Sequence, residues 1–182
     1  EEQKDAYGLV YQSKPPYEVL YTNWLTYEDV LELKMVEEMV EVHYNSGQFF
    51  YTLQQLMKEF DSPYQMYYDL GKYYEAHNLH MMSHSRIKRY EIVLDFIREL
   101  GTEKEELYRE LLVFDLYLRE RVKSRPDFAG EFTVSKEFKR EMGKMSHVEQ
   151  FHYDVAGDCE KKDCLILFDY EKRHKYTLSF QS

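Results

Sequence analysis

The stretch Trp24-Leu25-Thr26-Tyr27-Glu28-Asp29-Val30 carries the signals that begin an α-helix. Thr26 is a good N-cap residue, because its hydroxyl can accept a hydrogen bond from a free backbone amide of the first turn. The acidic residues that follow complement the positive end of the helix dipole. Leu25 and Val30 have the spacing of a hydrophobic staple. We therefore predict a helix to about Tyr44, ended by Asn45-Ser46-Gly47, with Trp24 buried beside the staple.

Similar start signals and apolar stripes predict four further helices along the chain. Ser62 is the expected cap of one, with Pro63 in its first turn and Gln65 closing a capping box, and Thr102 is the expected cap of another. The expected helices run from about Gln48 to Phe60, Ser62 to His77, Ser85 to Leu100 and Thr102 to Arg125, and a short sixth helix follows Ser135.

The hydrophobic period changes near the C-terminus from the helical repeat to alternation. Three apolar runs separated by polar turns predict a small antiparallel meander, at 151–155, 164–168 and 176–180. The fold class that we predict is mainly α, with five or six helices, an extended N-terminal segment and this C-terminal β appendage (α+β). The predicted division is 1–23, an extended linker; 24–146, a helical domain; and 147–182, the β appendage.

The N-terminal segment is expected to be extended, because Lys14-Pro15-Pro16 disfavours a helix. Its apolar run Tyr7–Tyr11 has no obvious partner strand nearby, so we expect residues 1–12 to be less ordered or paired with another chain. A second copy of the chain is therefore one expected partner, in a homo-oligomer formed through this strand. The chain begins at Glu1 rather than Met, which leads us to expect a longer parent polypeptide.

Composition excludes several classes of function. The net charge of −10 argues against a nucleic-acid partner and against an anionic membrane surface. No apolar run approaches the ~20 residues of a membrane span. Two cysteines are too few for a disulfide framework, so we expect a cytoplasmic protein. Eighteen tyrosines suit half-buried positions or a contact surface, and the interface candidates are Tyr17, Trp24, Tyr67 and Tyr74.

No catalytic motif is present, and the candidate binding features are few. His77, His80 and His84 are the only dense imidazole cluster, but they lack a cysteine or acidic partner, so solvated loop histidines are favoured over a zinc site. Two locally basic runs, 86–90 and 118–126, have the composition of a phosphate or base contact. For the second run, complementing a helix C-terminus is the favoured interpretation.

Several short strings resemble a region of radical SAM proteins that carry a cobalamin-binding domain, namely the region directly after the radical SAM barrel. The strings are 7–11, 15–20, Trp24-Leu25, 44–49, 118–120, 123–126 and 167–170. They span most of the chain.

The resemblance implies a non-catalytic C-terminal accessory domain that packs beside the barrel of the same polypeptide, with capping of the active site as a further role. It implies a 4Fe-4S cluster and S-adenosylmethionine, and in this group cobalamin, for the parent. The three cysteines spaced Cys-x-x-x-Cys-x-x-Cys and the cobalamin pattern Asp-x-His-x-x-Gly are absent from the sequence, so no cofactor site falls on numbered residues. The alternatives are a free-standing helical protein-interaction module and a small metalloprotein built on the His cluster.

Overall fold

The computed structural model describes residues 7–130, 146–170 and 174–178. These residues form five α-helices and two small antiparallel sheets, which confirms a mainly helical α+β fold. The helices are α1 (Tyr27–Met39), α2 (Phe50–Leu56), α3 (Pro63–Ala76), α4 (Arg86–Glu99) and α5 (Glu105–Arg119). The strands are β1 (Val10–Tyr11), β2 (Val19–Tyr21), β3 (Ser146–Tyr153), β4 (Lys161–Asp169) and β5 (His174–Leu178). The helix expected after Ser135 falls outside the described residues.

The start of α1 is the predicted one. Thr26 Oγ1 accepts a hydrogen bond from the Asp29 amide at 3.1 Å, and the Asp29 carboxylate accepts from the Thr26 amide at 2.8 Å, which completes a capping box. The helix continues into a π-helical turn, Val40–Asn45. Gly47 follows in a left-handed conformation with φ +65°, so the predicted end of this helix is also confirmed.

Two of the predicted capping details are wrong. Ser62 accepts from the Gln65 amide as expected, but the Gln65 side chain donates to Asp69 at 2.7 Å instead of closing a box. α5 begins at Glu105 rather than directly after Thr102. The Thr102 hydroxyl instead accepts from the Lys104 amide at 3.2 Å, because residues 101–104 form a turn before the helix starts.

The chain divides by internal contacts into two compact units. The first contains the described residues of Glu1–Ser46 and Phe60–His80, and the second those of Gly47–Glu59 and Met81–Ser182. In the first unit α1 packs against α3. A β-carbon on Gly71 of α3 would lie 2.7 Å from Met35 Cγ, so a larger residue there would require the Met35 side chain to move. The predicted domain boundaries at 23/24 and 146/147 stay a prediction.

In the second unit the core is built around α5. Helices α2 and α4 pack against it, and so does β3. Phe114 of α5 is fully buried, and its ring centroid lies 5.9 Å from both Phe151 and Phe168. The order β3-β4-β5 is the predicted antiparallel meander, with Phe151 opposite Cys164 and Leu167 opposite Tyr176.

The N-terminal run does have a partner strand, so the expectation that it has none nearby was wrong. Val10 pairs with Tyr21 and Tyr11 with Val19 in an antiparallel ladder. The segment around Pro15 and Pro16 reverses the chain, because the Tyr17 amide donates to the Lys14 carbonyl at 3.0 Å. The prolines therefore form the connection that brings β1 beside β2.

Across the described ranges, no helix combines the length and apolar character needed to cross a membrane.

Asp115 of α5 caps α2 from outside that helix. Phe49, at the N-cap position of α2, provides no side-chain cap. The buried Asp115 carboxylate accepts from the amides of Tyr51 and Thr52 at 3.0 and 2.9 Å, and from the Thr52 hydroxyl at 2.8 Å. Despite these donors, burial raises the pKa of Asp115 to about 6.

This raised pKa gives a test of stability against pH with Asp115→Asn. An acid whose pKa is raised on folding contributes stability below about pH 4 that is lost as pH rises through about 6. A shift of about two pKa units corresponds to about 3 kcal/mol. We expect the wild type to lose about this much unfolding free energy, relative to the variant, between pH 4 and pH 7. Urea titrations measure it, and parallel profiles would contradict it.

Candidate functional site

Six aromatic side chains near the N-terminus are exposed. We call them the N-terminal aromatic surface; its members are Tyr7, Tyr11, Tyr17, Tyr21, Trp24 and Tyr27. Their exposed fractions range from 40% for Tyr7 to 69% for Trp24. All belong to the first compact unit. Tyrosine and tryptophan are among the side chains enriched at protein interfaces, so this surface is the candidate contact site.

Trp24 is not buried, which corrects the sequence prediction. The turn before α1 is held by its backbone, because the amides of Trp24 and Leu25 both donate to the Thr22 hydroxyl, at 3.1 and 3.0 Å. The indole is therefore not needed to fix the start of the helix. It lies against the ring of Tyr7, with 5.6 Å between centroids, and the rest of it faces solvent.

The four interface candidates from the sequence separate into two pairs. Tyr17 is 60% exposed and belongs with Trp24 to the aromatic surface. Tyr67 and Tyr74 are buried side chains of α3, within the core of the first unit. Burial raises the pKa of Tyr67 to about 12. The two buried tyrosines therefore contribute to the core of this chain rather than to its surface.

A buried imidazole, His43, lies beside Tyr74 in the same unit. It sits in the π-helical turn, and its Nε2 is 3.1 Å from the Tyr74 hydroxyl. Sequence reasoning did not select His43. Its spacing could have predicted its burial. His43 lies four residues after Met39 and seven after Val36, which places it on the buried face of the helix. The pair is a polar contact inside the α1–α3 core.

The candidate metal ligands are not assembled into a ligand set. His77 is exposed and lies against the Tyr73 ring at 4.3 Å, and His80 Nδ1 is 3.5 Å from the Tyr74 carbonyl oxygen. His84 is half-buried. Within 7–130, 146–170 and 174–178, no group of three or more His, Cys, Asp or Glu side chains is arranged to hold a metal ion.

A small polar cavity of about 110 Å³ lies in the second unit, between α5, the loop after Arg125 and β3. Glu149 on β3 is fully buried, and its carboxylate pairs with Arg125 and with His147 Nε2. Arg125 also donates to the carbonyls of Ala129 and Gly130 at 2.8 and 2.9 Å. The predicted role of Arg125 as a charge at a helix C-terminus is thus replaced by a buried ion pair that ties a loop to the sheet.

A second carboxylate, Glu110, lines the same cavity. It accepts from the amides of His152 and Tyr153 at 2.9 and 3.1 Å, and it lies 2.7 Å from His152 Nδ1. Burial raises its pKa above the usual value. Both carboxylates of the cavity are already bound by groups of the same chain. The arrangement is therefore suited to holding α5 and the loop against β3, more than to binding a charged ligand.

Residues 5–168 match the model of a family described as "Protein of unknown function (DUF4080)". The chain belongs to the DUF4080 family. No curated protein and no solved structure matches it. The match includes α1 to α5, the N-terminal aromatic surface and the Arg125–Glu149 pair. The description of the DUF4080 family assigns no activity, so the expected relation to radical SAM proteins stays a prediction.

Proposed function

We propose that this chain is an accessory domain that follows the barrel of a radical SAM enzyme and docks onto that catalytic part through the N-terminal aromatic surface. The single observation that carries the docking role is the exposure of six aromatic rings within 21 residues, 7–27. The radical SAM relation itself is supported by the sequence resemblance. In this proposal the barrel directly precedes the aromatic residues in the polypeptide. Packing of the chain beside the barrel would therefore cover the six rings.

The charge around this surface specifies the partner further. Two acidic side chains in the first turn of α1, Glu28 and Asp29, directly follow Tyr27 and are exposed. A complementary partner therefore has an apolar centre and a basic rim. In this proposal the catalytic barrel provides this complementary surface with its apolar centre and basic rim.

The cofactors implied by the resemblance belong to the parent enzyme in this proposal. A 4Fe-4S cluster is held by cysteine thiolates, and this chain contains only Cys159 and Cys164. Cys164 is buried, and burial raises its pKa to about 11, which disfavours the thiolate that a cluster needs. The cysteines of this chain therefore do not fit an iron–sulfur cluster. In this proposal the role of the chain is to bind and shape the catalytic part.

The coding sequence upstream of Glu1 tests the radical SAM assignment. We expect a Cys-x-x-x-Cys-x-x-Cys motif roughly 200 residues or more upstream, since a barrel of this type has about that length. A start codon a few residues before Glu1 would contradict the assignment.

The alternative is a free-standing protein-interaction module that uses the same surface. One observation favours it: β1 and β2 form a two-stranded sheet, whose outer edges can each add a strand from a second copy. Sedimentation of the isolated chain separates the two functions. A stable dimer that is lost on Tyr17→Ser and Trp24→Ser favours the module, and a monomer favours the accessory domain.

A further inference from the structure

An open cavity of about 270 Å³ brings the two basic runs together. It lies in the second unit, where the loop after α5 passes the beginning of α4. Ile87 of the first run lines one side, and residues 120–124 and Pro126 line the other. The cavity is smaller than the roughly 300–1,000 Å³ of pockets for drug-sized ligands, so it suits a small molecule.

The charge near this cavity is opposite to that of the whole chain. The chain carries a net charge of −10, yet 86–90 contains three basic residues and 118–126 contains four. Lys88 and Arg125 are paired with Glu91 and Glu149, and the other basic residues outnumber the one acidic residue of the two runs, Glu120. The first turn of α4 contains no acidic residue, although the helix dipole favours one there. Cations at the positive end of a helix raise the local potential further. A positive region of this kind attracts small anions.

Two of the charged groups at the cavity neutralise each other. Glu120 lines the cavity and pairs with Arg86. Arg121 and Lys123 also line it, and Lys123 is exposed and makes no ion pair with any described residue. The cavity therefore retains at least the positive charge of Lys123 after the Arg86–Glu120 pair is taken into account.

The framework of the cavity is held in place before any ligand binds. The Tyr170 hydroxyl donates a hydrogen bond shared between the carbonyls of Tyr117 and Glu120, at 3.0 and 3.3 Å. The Glu120 side chain is bound to Arg86. The end of α5 is thus anchored on both sides, which lowers the entropic cost of binding at the residues that follow.

We infer that this cavity binds the phosphate group of a small phosphorylated molecule. Arg121 and Lys123 supply the positive charge, and Ser124 supplies a hydroxyl donor. The apolar side chains of Ile87, Val122 and Pro126 contact the carbon part of the ligand. This inference is independent of the proposed docking function, because it rests on the second unit.

The test is a titration of the isotope-labelled chain, followed by backbone amide NMR, with inorganic phosphate and with glycerol 3-phosphate at constant ionic strength. We expect saturable shifts centred on 120–124, at lower concentration for glycerol 3-phosphate because of the apolar wall. Lys123→Gln removes one charge-assisted contact and should weaken binding about tenfold. Lys161→Gln, an exposed lysine at the start of β4, is the matched control and should leave binding unchanged.

Thermal unfolding of Lys123→Gln checks that the variant is folded, which its exposure leads us to expect. Shifts that do not saturate, or equal affinities for the two lysine variants, would overturn the inference. Tighter binding of a DNA oligonucleotide than of glycerol 3-phosphate, lost with the same Lys123 variant, would also overturn it in favour of a nucleic-acid contact.

Discussion

Replacing Glu149 by alanine is expected to lower the free energy of unfolding by about 3 kcal/mol, the range found when one partner of a buried ion pair is removed. Glu149 is fully buried, and its carboxylate is bound by Arg125 and His147. Without it, the Arg125 guanidinium stays partly buried and loses its carboxylate partner, although it still donates to the carbonyls of Ala129 and Gly130. Urea unfolding measures the change.

Glu103→Ala is the matched control, because Glu103 is exposed in the turn before α5. It should change the unfolding free energy by less than about 0.5 kcal/mol. A double-mutant cycle adds a sharper check: Arg125→Met should cost less in the Glu149→Ala background than in wild type, because the unpaired charge is then gone. A Glu149→Ala chain as stable as the Glu103→Ala chain would show that the pair is not structural.

The second large effect concerns docking. In the proposed complex, the double variant Tyr17→Ser and Trp24→Ser should weaken binding to the catalytic part by about 700-fold, since two aromatic residues at an interface centre contribute about 2 kcal/mol each. Both side chains are mostly exposed in the isolated chain, so its own stability should change little. Calorimetric titration of the separately produced catalytic part with each variant measures the affinity.

Met81→Ser is the control for this experiment, because Met81 is 73% exposed and apolar but lies outside the N-terminal aromatic surface. It should bind as wild type does. Equal affinities for the double variant and the control would exclude the aromatic surface as the docking site.

The local signals in the sequence predicted most of the elements. Thr26 and Ser62 cap the helices that they were expected to cap, because capping depends on the next three residues only. The alternating pattern after residue 146 predicted the meander, because alternation of apolar and polar residues indicates a strand with one buried face and is also a local signal. Thr102 failed because the adjoining turn uses the same hydroxyl.

The features that were missed depend on residues far apart in the chain. The Glu149–Arg125 pair joins residues 24 positions apart, and Asp115 caps a helix 63 residues away. No local pattern contains such pairings. The N-terminal segment was predicted to be extended, but the pairing of β1 with β2 was missed because strands of two and three residues give almost no periodicity. The exposure of Trp24 was missed for another reason: the amides of Trp24 and Leu25 donate to the Thr22 hydroxyl, a local turn signal that the sequence analysis did not use.

The central claim is that the N-terminal aromatic surface is covered by the catalytic part of the same polypeptide, and Trp24 reports on it directly as the only tryptophan of the chain. The measurement is fluorine NMR of the chain labelled with fluorotryptophan, alone and after addition of the catalytic part. We predict one solvent-exposed resonance in the isolated chain, which shifts and loses its solvent isotope effect in the complex. A resonance that keeps both its position and its solvent isotope effect at saturating partner would contradict the proposed docking surface.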